Sequence, residues 1–209
     1  VRAEIRDDNN VLVLLEADPA SIADDAYAAD HGLVCCREIL QLRRPLPLDD
    51  ATDIEVRPFV ENDTDAFLRV NNRAFAWHPD RSNLTADDLH AQLAEPWFDP
   101  SGFLVHETDG ELDGFCWTKV HEATADEPRL GEIYVIAVDP DSHGRGLGRA
   151  LTMAGLQWLA GQGITSGMLH VESGNLAAVA MYEHMGFEVF AVHRWWATEG
   201  TPPPVTSHL

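Results

Sequence analysis

The sequence predicts an α/β fold built on a mixed sheet, and three observations carry the prediction. From Ile54 onward, segments with the period of a strand outnumber those with the period of a helix. The turn Thr108-Asp-Gly-Glu111 separates two apolar segments as a hairpin turn does. A glycine-rich turn, His143-Gly-Arg-Gly-Leu-Gly-Arg149, joins a buried strand to a helix, which implies a parallel pair around that crossover.

Taken in order, Leu12–Glu16 reads as a strand, a helix runs through Ala26 and Tyr27, His31-Gly-Leu33 turns the chain, and Cys36–Arg43 is extended. Ile54–Phe59 is a short strand, and Thr64–Phe75 is a helix with Phe67, Val70 and Phe75 near one face. Thr85 is the N-cap of a second helix, with acids in its first turn and Leu89 and Leu93 one turn apart. Gly102–His106 and Gly114–Val120 form the hairpin, and Gly131–Val138 is a buried strand closed by Asp139-Pro140. After the glycine turn come a helix over Ala150–Ala160, a strand over Gly167–Glu172, a helix over Asn175–Met185 and a strand over Phe187–Ala197.

Residues 1–45 read as an incomplete copy of the last quarter: strand, helix, Gly-containing turn, strand. On this reading they are the C-terminal remnant of a first domain, 46–53 is a linker rich in Pro and Asp, 54–198 is the catalytic domain and 199–209 a tail. It leaves Leu12, Leu14, Ile39 and Leu42 without sheet partners, and the start at Val1 suggests that an upstream portion is missing.

The formal net charge of -21 over 209 residues argues against a nucleic-acid or anionic-membrane partner. Three cysteines without a C-x-x-C pair form neither a disulfide framework nor a metal site, which fits a reducing cytoplasm. No apolar run is long enough to span a membrane.

A glycine turn at a helix N-terminus can present successive backbone N–H groups to a phosphate, or can simply cap a core helix. Gly148 is followed by Arg149 and Ala150, not by the Lys-Ser/Thr of a triphosphate loop. Position 151 is Leu, where a dinucleotide fingerprint needs its third glycine. The remaining spacing, His143-x-x-Gly146-x-Gly148, resembles the acyl-coenzyme A loop of the GNAT family of N-acetyltransferases, with His143 in place of the usual Gln or Arg. Asn175–Ala180 followed by Tyr182 resembles the family's closing motif.

The resemblance implies the GNAT fold, a mixed and mostly antiparallel sheet flanked by helices, with acetyl-CoA as co-substrate and no metal. Cofactor contacts then fall on Ile136, Ala137, Val138, His143, Gly144, Arg145, Gly146, Leu147, Gly148 and Arg149, and on Asn175, Leu176, Ala177, Ala178, Val179 and Ala180. Acyl transfer needs an ammonium deprotonated, a carbonyl polarised and a thiolate protonated. Glu132 is the candidate base, the Val138 N–H the polariser and Tyr182 the acid; an edge-strand Glu and a core aromatic are the competing readings of Glu132 and Tyr182. Strand alternation puts Tyr134 and Ile136 on the side of Glu132, and Ile133 and Val135 on the other.

Asn71–Asp80, Trp97–Pro100, Phe115–His121 and Leu130–Pro140 narrow the resemblance to the C-terminal half of the mycothiol synthase family of actinobacteria. That implies acetylation of the cysteinyl amine of the pseudodisaccharide Cys-GlcN-Ins, in an enzyme that is a monomer at full length. Substrate contacts are implied at Asp80, Lys119, Glu132 and His170, with Asp80 where Glu is usual and His170 where Tyr is usual. A solvated Lys119 and a core His170 compete with those roles. Another small-amine or peptide N-acetyltransferase, or a non-catalytic acyl-CoA-binding module, are the alternatives for the whole.

Overall fold

The computed structural model describes residues 2–78, 83–201 and 204. In chain order its elements are β1 (Arg2–Arg6), β2 (Leu12–Ala17), α1 (Ile22–Asp30), β3 (Val34–Pro45), β4 (Arg57–Pro58), α2 (Thr64–Ala74), α3 (Ala86–Leu93), β5 (Phe103–Thr108) and β6 (Glu111–His121). There follow β7 (Leu130–Val138), α4 (Leu147–Gly161), β8 (Ser166–Glu172), α5 (Leu176–His184) and β9 (Glu188–Ala197). The chain divides into two compact units, one drawing on Val1–Arg44 and Leu169–His208, the other on Pro45–Met168.

In the first unit the strand order is β1-β2-β9-β3-β8. The chain's last long strand, β9, pairs antiparallel with β2 on one side and β3 on the other. The expectation that Leu12, Leu14, Ile39 and Leu42 lack sheet partners is therefore corrected. Leu14 lies opposite Ala197, and Leu12, Ile39 and Leu42 are buried. A small core of Leu12, Leu15, Ala28, Leu33 and Trp196 forms where α1 covers this sheet. The Ser21 hydroxyl and Asp24 make a reciprocal capping box that starts α1. Ion pairs tighten the same unit: Arg194 of β9 reaches Asp25 of α1 at 2.7 Å and also pairs with Glu38 of β3, while Arg37 of β3, almost wholly buried, donates to Glu172 of β8 at 2.7 Å. β1 is an exposed edge strand that alternation does not predict, because none of its side chains is buried.

In the second unit the order is β7-β6-β5-β4, with every neighbour antiparallel. The hairpin turn is as the sequence predicts: Asp109 and Gly110 adopt φ of 53° and 81°, which suits a tight turn between twisted strands. The strand predicted over Ile54–Phe59 shrinks to the two residues of β4, since Pro58 has no N–H to donate at this sheet edge. One face of the sheet carries α2 and an aromatic core in which Phe103 stacks at 4.4 Å on both Phe59 and Trp117. Truncating Phe103 to Ala removes that layer and costs about 3–5 kcal/mol.

The other face carries α4, seated close because Gly155 has no side chain. A Cβ there would lie 2.5 Å from Cys116 Sγ and 2.8 Å from Ile133 Cδ1. Burial at this contact pushes the Cys116 thiol up to about 12, so it behaves as an inert apolar group.

β7 is not a regular strand. Trp117 pairs with Val135 but the next residue, Thr118, pairs with Ile133, which leaves Tyr134 as an extra residue in the ladder. The bulge overturns simple alternation. Tyr134 and Val135 both pack on the aromatic face, whereas Ile136 lies opposite Cys116, the residue that meets α4. Glu132 thus shares its face with Tyr134 but not with Ile136, and Val135 belongs on that face too.

Candidate active site

At its Val138 end, β7 runs into a turn framed by charge. Asp139 donates its backbone N–H to the Asp113 carbonyl at 2.7 Å, and Arg73 from α2 donates to Asp139 and Asp141, each at 2.8 Å. Asp113 accepts from His106 at 2.6 Å, Thr108 at 2.8 Å and Ser142 at 3.0 Å. Burial by itself pushes the Asp113 carboxyl up, but these three donors outweigh it and hold the group below its ordinary value of 3.8. The frame fixes where the glycine turn begins.

Within the turn, Gly144 and Gly146 both sit at φ of 78°, the left-handed region that side chains disfavour. Gly146 is the N-cap of α4, and no side chain caps that helix. Leu147, Gly148 and Arg149 therefore belong to the first helical turn, where the sequence alone starts the helix at Ala150. Their N–H groups lie at the positive end of the helix dipole. His143 points the other way: its Nε2 lies 3.0 Å from the carbonyl oxygen of Val138, so this imidazole folds the turn back onto β7. A cavity of about 360 Å³ opens beside the turn, lined by Asp53, His106, Asp113, Arg145, Gly146 and Leu147 among others. Two left-handed glycines before an uncapped helix suit a pyrophosphate.

At its other end, β7 carries Glu132, buried and directly opposite Lys119 of β6. Lys119 places its ammonium over the rings of Trp97, at 4.5 Å, and Tyr134, at 5.3 Å. These rings meet edge-on at 5.0 Å, giving the cation a two-sided aromatic seat. Glu132 Oε2 lies 2.7 Å from His121 Nε2. A buried carboxylate anchored by an imidazole, with the neighbouring ammonium drawn over two aromatic rings, can take a proton from an amine.

The remaining predicted residues lie in the first unit, apart from Asp80, which falls outside the described residues. His170 on β8 sits 3.2 Å from Gln41 Nε2. Asn175 is the N-cap of α5, its side chain accepting from the Ala178 N–H at 3.3 Å. In α5, Leu176 is 75% exposed, whereas Tyr182 is buried with its ring edge-on to Phe187 at 5.7 Å. Sequence reasoning misses His121, which the hairpin register puts diagonally across from Glu132, and Arg73 and Asp113, whose roles depend on the turn after β7.

The model of the acetyltransferase (GNAT) family matches residues 52–187, which contain both ends of β7 and the glycine turn. The chain belongs to the GNAT acetyltransferase family. Its α/β fold of mixed, mostly antiparallel strands is the GNAT fold: it aligns with a GCN5-related N-acetyltransferase from Sphaerobacter thermophilus at a TM-score of 0.69 and 23% identity, over 93% of this chain and 61% of that one. Among curated proteins, this GNAT chain is 49% identical over 175 residues to a mycothiol acetyltransferase of Streptomyces coelicolor, covering 80% of this chain and 55% of that protein. It is 51% identical over 165 residues to one of Acidimicrobium ferrooxidans, covering 76% and 53%. The chain spans about half the length of these curated relatives. Among its described residues no helix is long and apolar enough to cross a membrane.

Proposed function

We propose that this chain transfers the acetyl group of acetyl-CoA to the cysteinyl amine of Cys-GlcN-Ins, giving mycothiol. The observation that carries the reading is the 49–51% identity to proteins named mycothiol acetyltransferase, over three quarters or more of this chain. The loop chemistry fits the co-substrate, since Gly144, Gly146 and the uncapped start of α4 suit a pyrophosphate. Acetyl-CoA, when bound, supplies the acetyl group as an activated thioester, held by backbone of residues 136–138 and 143–149 and by the start of α5 over 175–180.

Glu132 takes a proton from the acceptor's ammonium, freeing the nitrogen lone pair. The Val138 N–H polarises the carbonyl under attack. As the C–N bond forms and the C–S bond breaks, the Tyr182 hydroxyl gives its proton to the departing sulfur, and the second proton shed by the new amide nitrogen restores the phenol, so that one proton, held by Glu132, is released to solvent. Lys119, Asp80 and His170 grip the hydroxyls and amide groups of the acceptor. We read residues 1–45 as the remnant of a first domain of the same kind, on the strength of their segment pattern, and propose a cytoplasmic protein whose full-length form is a monomer, without nucleic-acid or membrane partners.

Incubation of the chain with acetyl-CoA and Cys-GlcN-Ins, GlcN-Ins or an alanine-terminal peptide, followed by mass spectrometry, tests the reading. Acetylated Cys-GlcN-Ins as the dominant product is expected. Preferential acetylation of the peptide assigns a peptide N-acetyltransferase instead, and no product with any acceptor leaves an acyl-CoA-binding module.

A further inference from the structure

Glu132 meets two cationic or donor side chains of β6 on one face of the sheet, and they behave differently. Lys119 is its direct cross-strand neighbour, yet its ammonium sits over the Trp97 and Tyr134 rings. His121 pairs with Leu130 in the ladder, so it is the diagonal neighbour of Glu132, within reach of a long side chain. Its Nε2 closes to 2.7 Å from Oε2. The Glu132 side chain is 9% exposed and that of His121 is 35% exposed, so the imidazole spans from the buried carboxylate to the protein surface.

We propose that His121 is a positioning residue for the acceptor's proton transfer: with Glu132 ionised, its Nε2–H donates to Oε2 and fixes the plane of the carboxylate. This rests on Glu132 being the base. A glutamate carboxylate rotates broadly about its last torsion, so an unanchored one spends little time aligned with the ammonium. Misplacement by about 1 Å can cost on the order of 10²-fold in rate. An imidazole suits the task because it is not permanently charged. A guanidinium in its place would stabilise the carboxylate as an anion and weaken it as a base.

The test uses the full chain, assayed with whichever of the three acceptors named above the wild type turns over fastest. His121→Leu removes the donor and is expected to lower kcat about tenfold or more, with the KM for acetyl-CoA within about twofold of wild type. His121→Gln keeps an N–H at similar reach and is expected to recover kcat to within about threefold of wild type. In a Glu132→Gln background, His121→Leu should add less than about twofold, because the group it positions is already gone. Melting temperatures of both single variants separate a folding defect from a kinetic one, and the Gln variant decides the matter if the Leu variant does not fold. Wild-type kcat in His121→Leu, equal losses in the Leu and Gln variants, or additive losses in the double variant overturn the proposal. If Glu132→Gln alone retains full turnover, the base assignment fails and the positioning role falls with it. If Glu132→Gln is impaired while His121→Leu is not, only the positioning role is lost.

Discussion

β7 and β9 carry the same kinds of contact and use them differently. On β7, Glu132 lies 2.7 Å from His121; on β9, His193 lies 2.7 Å from Glu16. Both strands also set a cation against an aromatic ring, Lys119 of β6 over Tyr134 of β7 in one case and Arg194 over Trp196, both of β9, in the other. The carboxylate on β7 is buried, with 9% of its side chain exposed, while Glu16 is 40% exposed. The partners differ in origin as well. Those of β7 come from the strand just before it in sequence, whereas those of β9 come from the first 44 residues of the chain. A histidine–carboxylate distance therefore says little by itself. Burial of the carboxylate and its place on the strand that enters the glycine turn support the base role proposed for Glu132, whereas the more exposed Glu16 fits a fastening.

If β9 is held by the chain's beginning, deleting residues 1–52 should have the largest effect of all. The deletion strips both sheet neighbours from β9 and the partners Asp25 and Glu38 from Arg194. The truncated chain is expected to aggregate or to lose its cooperative melt, which size-exclusion chromatography and calorimetry read directly. A monomer that melts as the full chain does would mean that these pairings carry no stability.

On β7 the next effect belongs to the glycine-turn end, where we propose that the co-substrate binds. Gly146→Val forces a branched side chain into the left-handed region, with a strain of about 1–2 kcal/mol or more that the turn relieves by changing shape. Acetyl-CoA affinity by calorimetric titration should fall about tenfold or more while the fold persists. Unchanged affinity would remove the turn from the cofactor site.

A third histidine–carboxylate pair, His106 with Asp113, sharpens the contrast because its buried carboxylate also accepts from Thr108 and Ser142. Asp113→Asn exchanges a triply bonded carboxylate for an amide and should cost about 1–3 kcal/mol near neutral pH. The carboxyl titrates below its ordinary value of 3.8 in the folded state, so its stabilisation is complete above that value and disappears as pH falls through the folded value. The melting temperatures of wild type and variant should therefore converge in strong acid; a constant gap would refute the ionic reading. The smallest effect is expected at Glu16→Gln, within about 0.5 kcal/mol of wild type and without change in kcat. A loss of turnover there would erase the distinction between the two strands.

How legible each strand is follows from the same difference in partners. The Thr85 capping box, the Asp109-Gly110 hairpin turn and the strand–glycine turn–helix order depend on neighbours in sequence, and all can be read without coordinates. Glu132 and Lys119, both expected in the site from the family resemblance, lie directly opposite each other. What strict alternation hides is the bulge at Tyr134, since an extra residue leaves no trace in an apolar pattern that runs unbroken from Ile133 to Val138. His121 is hidden for the related reason that only the register across β6 and β7 makes it the diagonal neighbour of Glu132. The pairing of β9 with β2 and β3 joins residues far apart in the chain, from Arg43 opposite Glu188 to Leu14 opposite Ala197, and local patterns carry no information over such distances.

The claim that β7 separates cofactor binding at one end from proton transfer at the other is tested most directly by Glu132→Gln. The variant keeps the shape of the side chain and removes its basicity. Titration with acetyl-CoA and steady-state kinetics with the acceptor should show unchanged acetyl-CoA affinity and a kcat/KM at neutral pH lower by about tenfold or more. Turnover equal to wild type, or loss of acetyl-CoA binding together with activity, would contradict it.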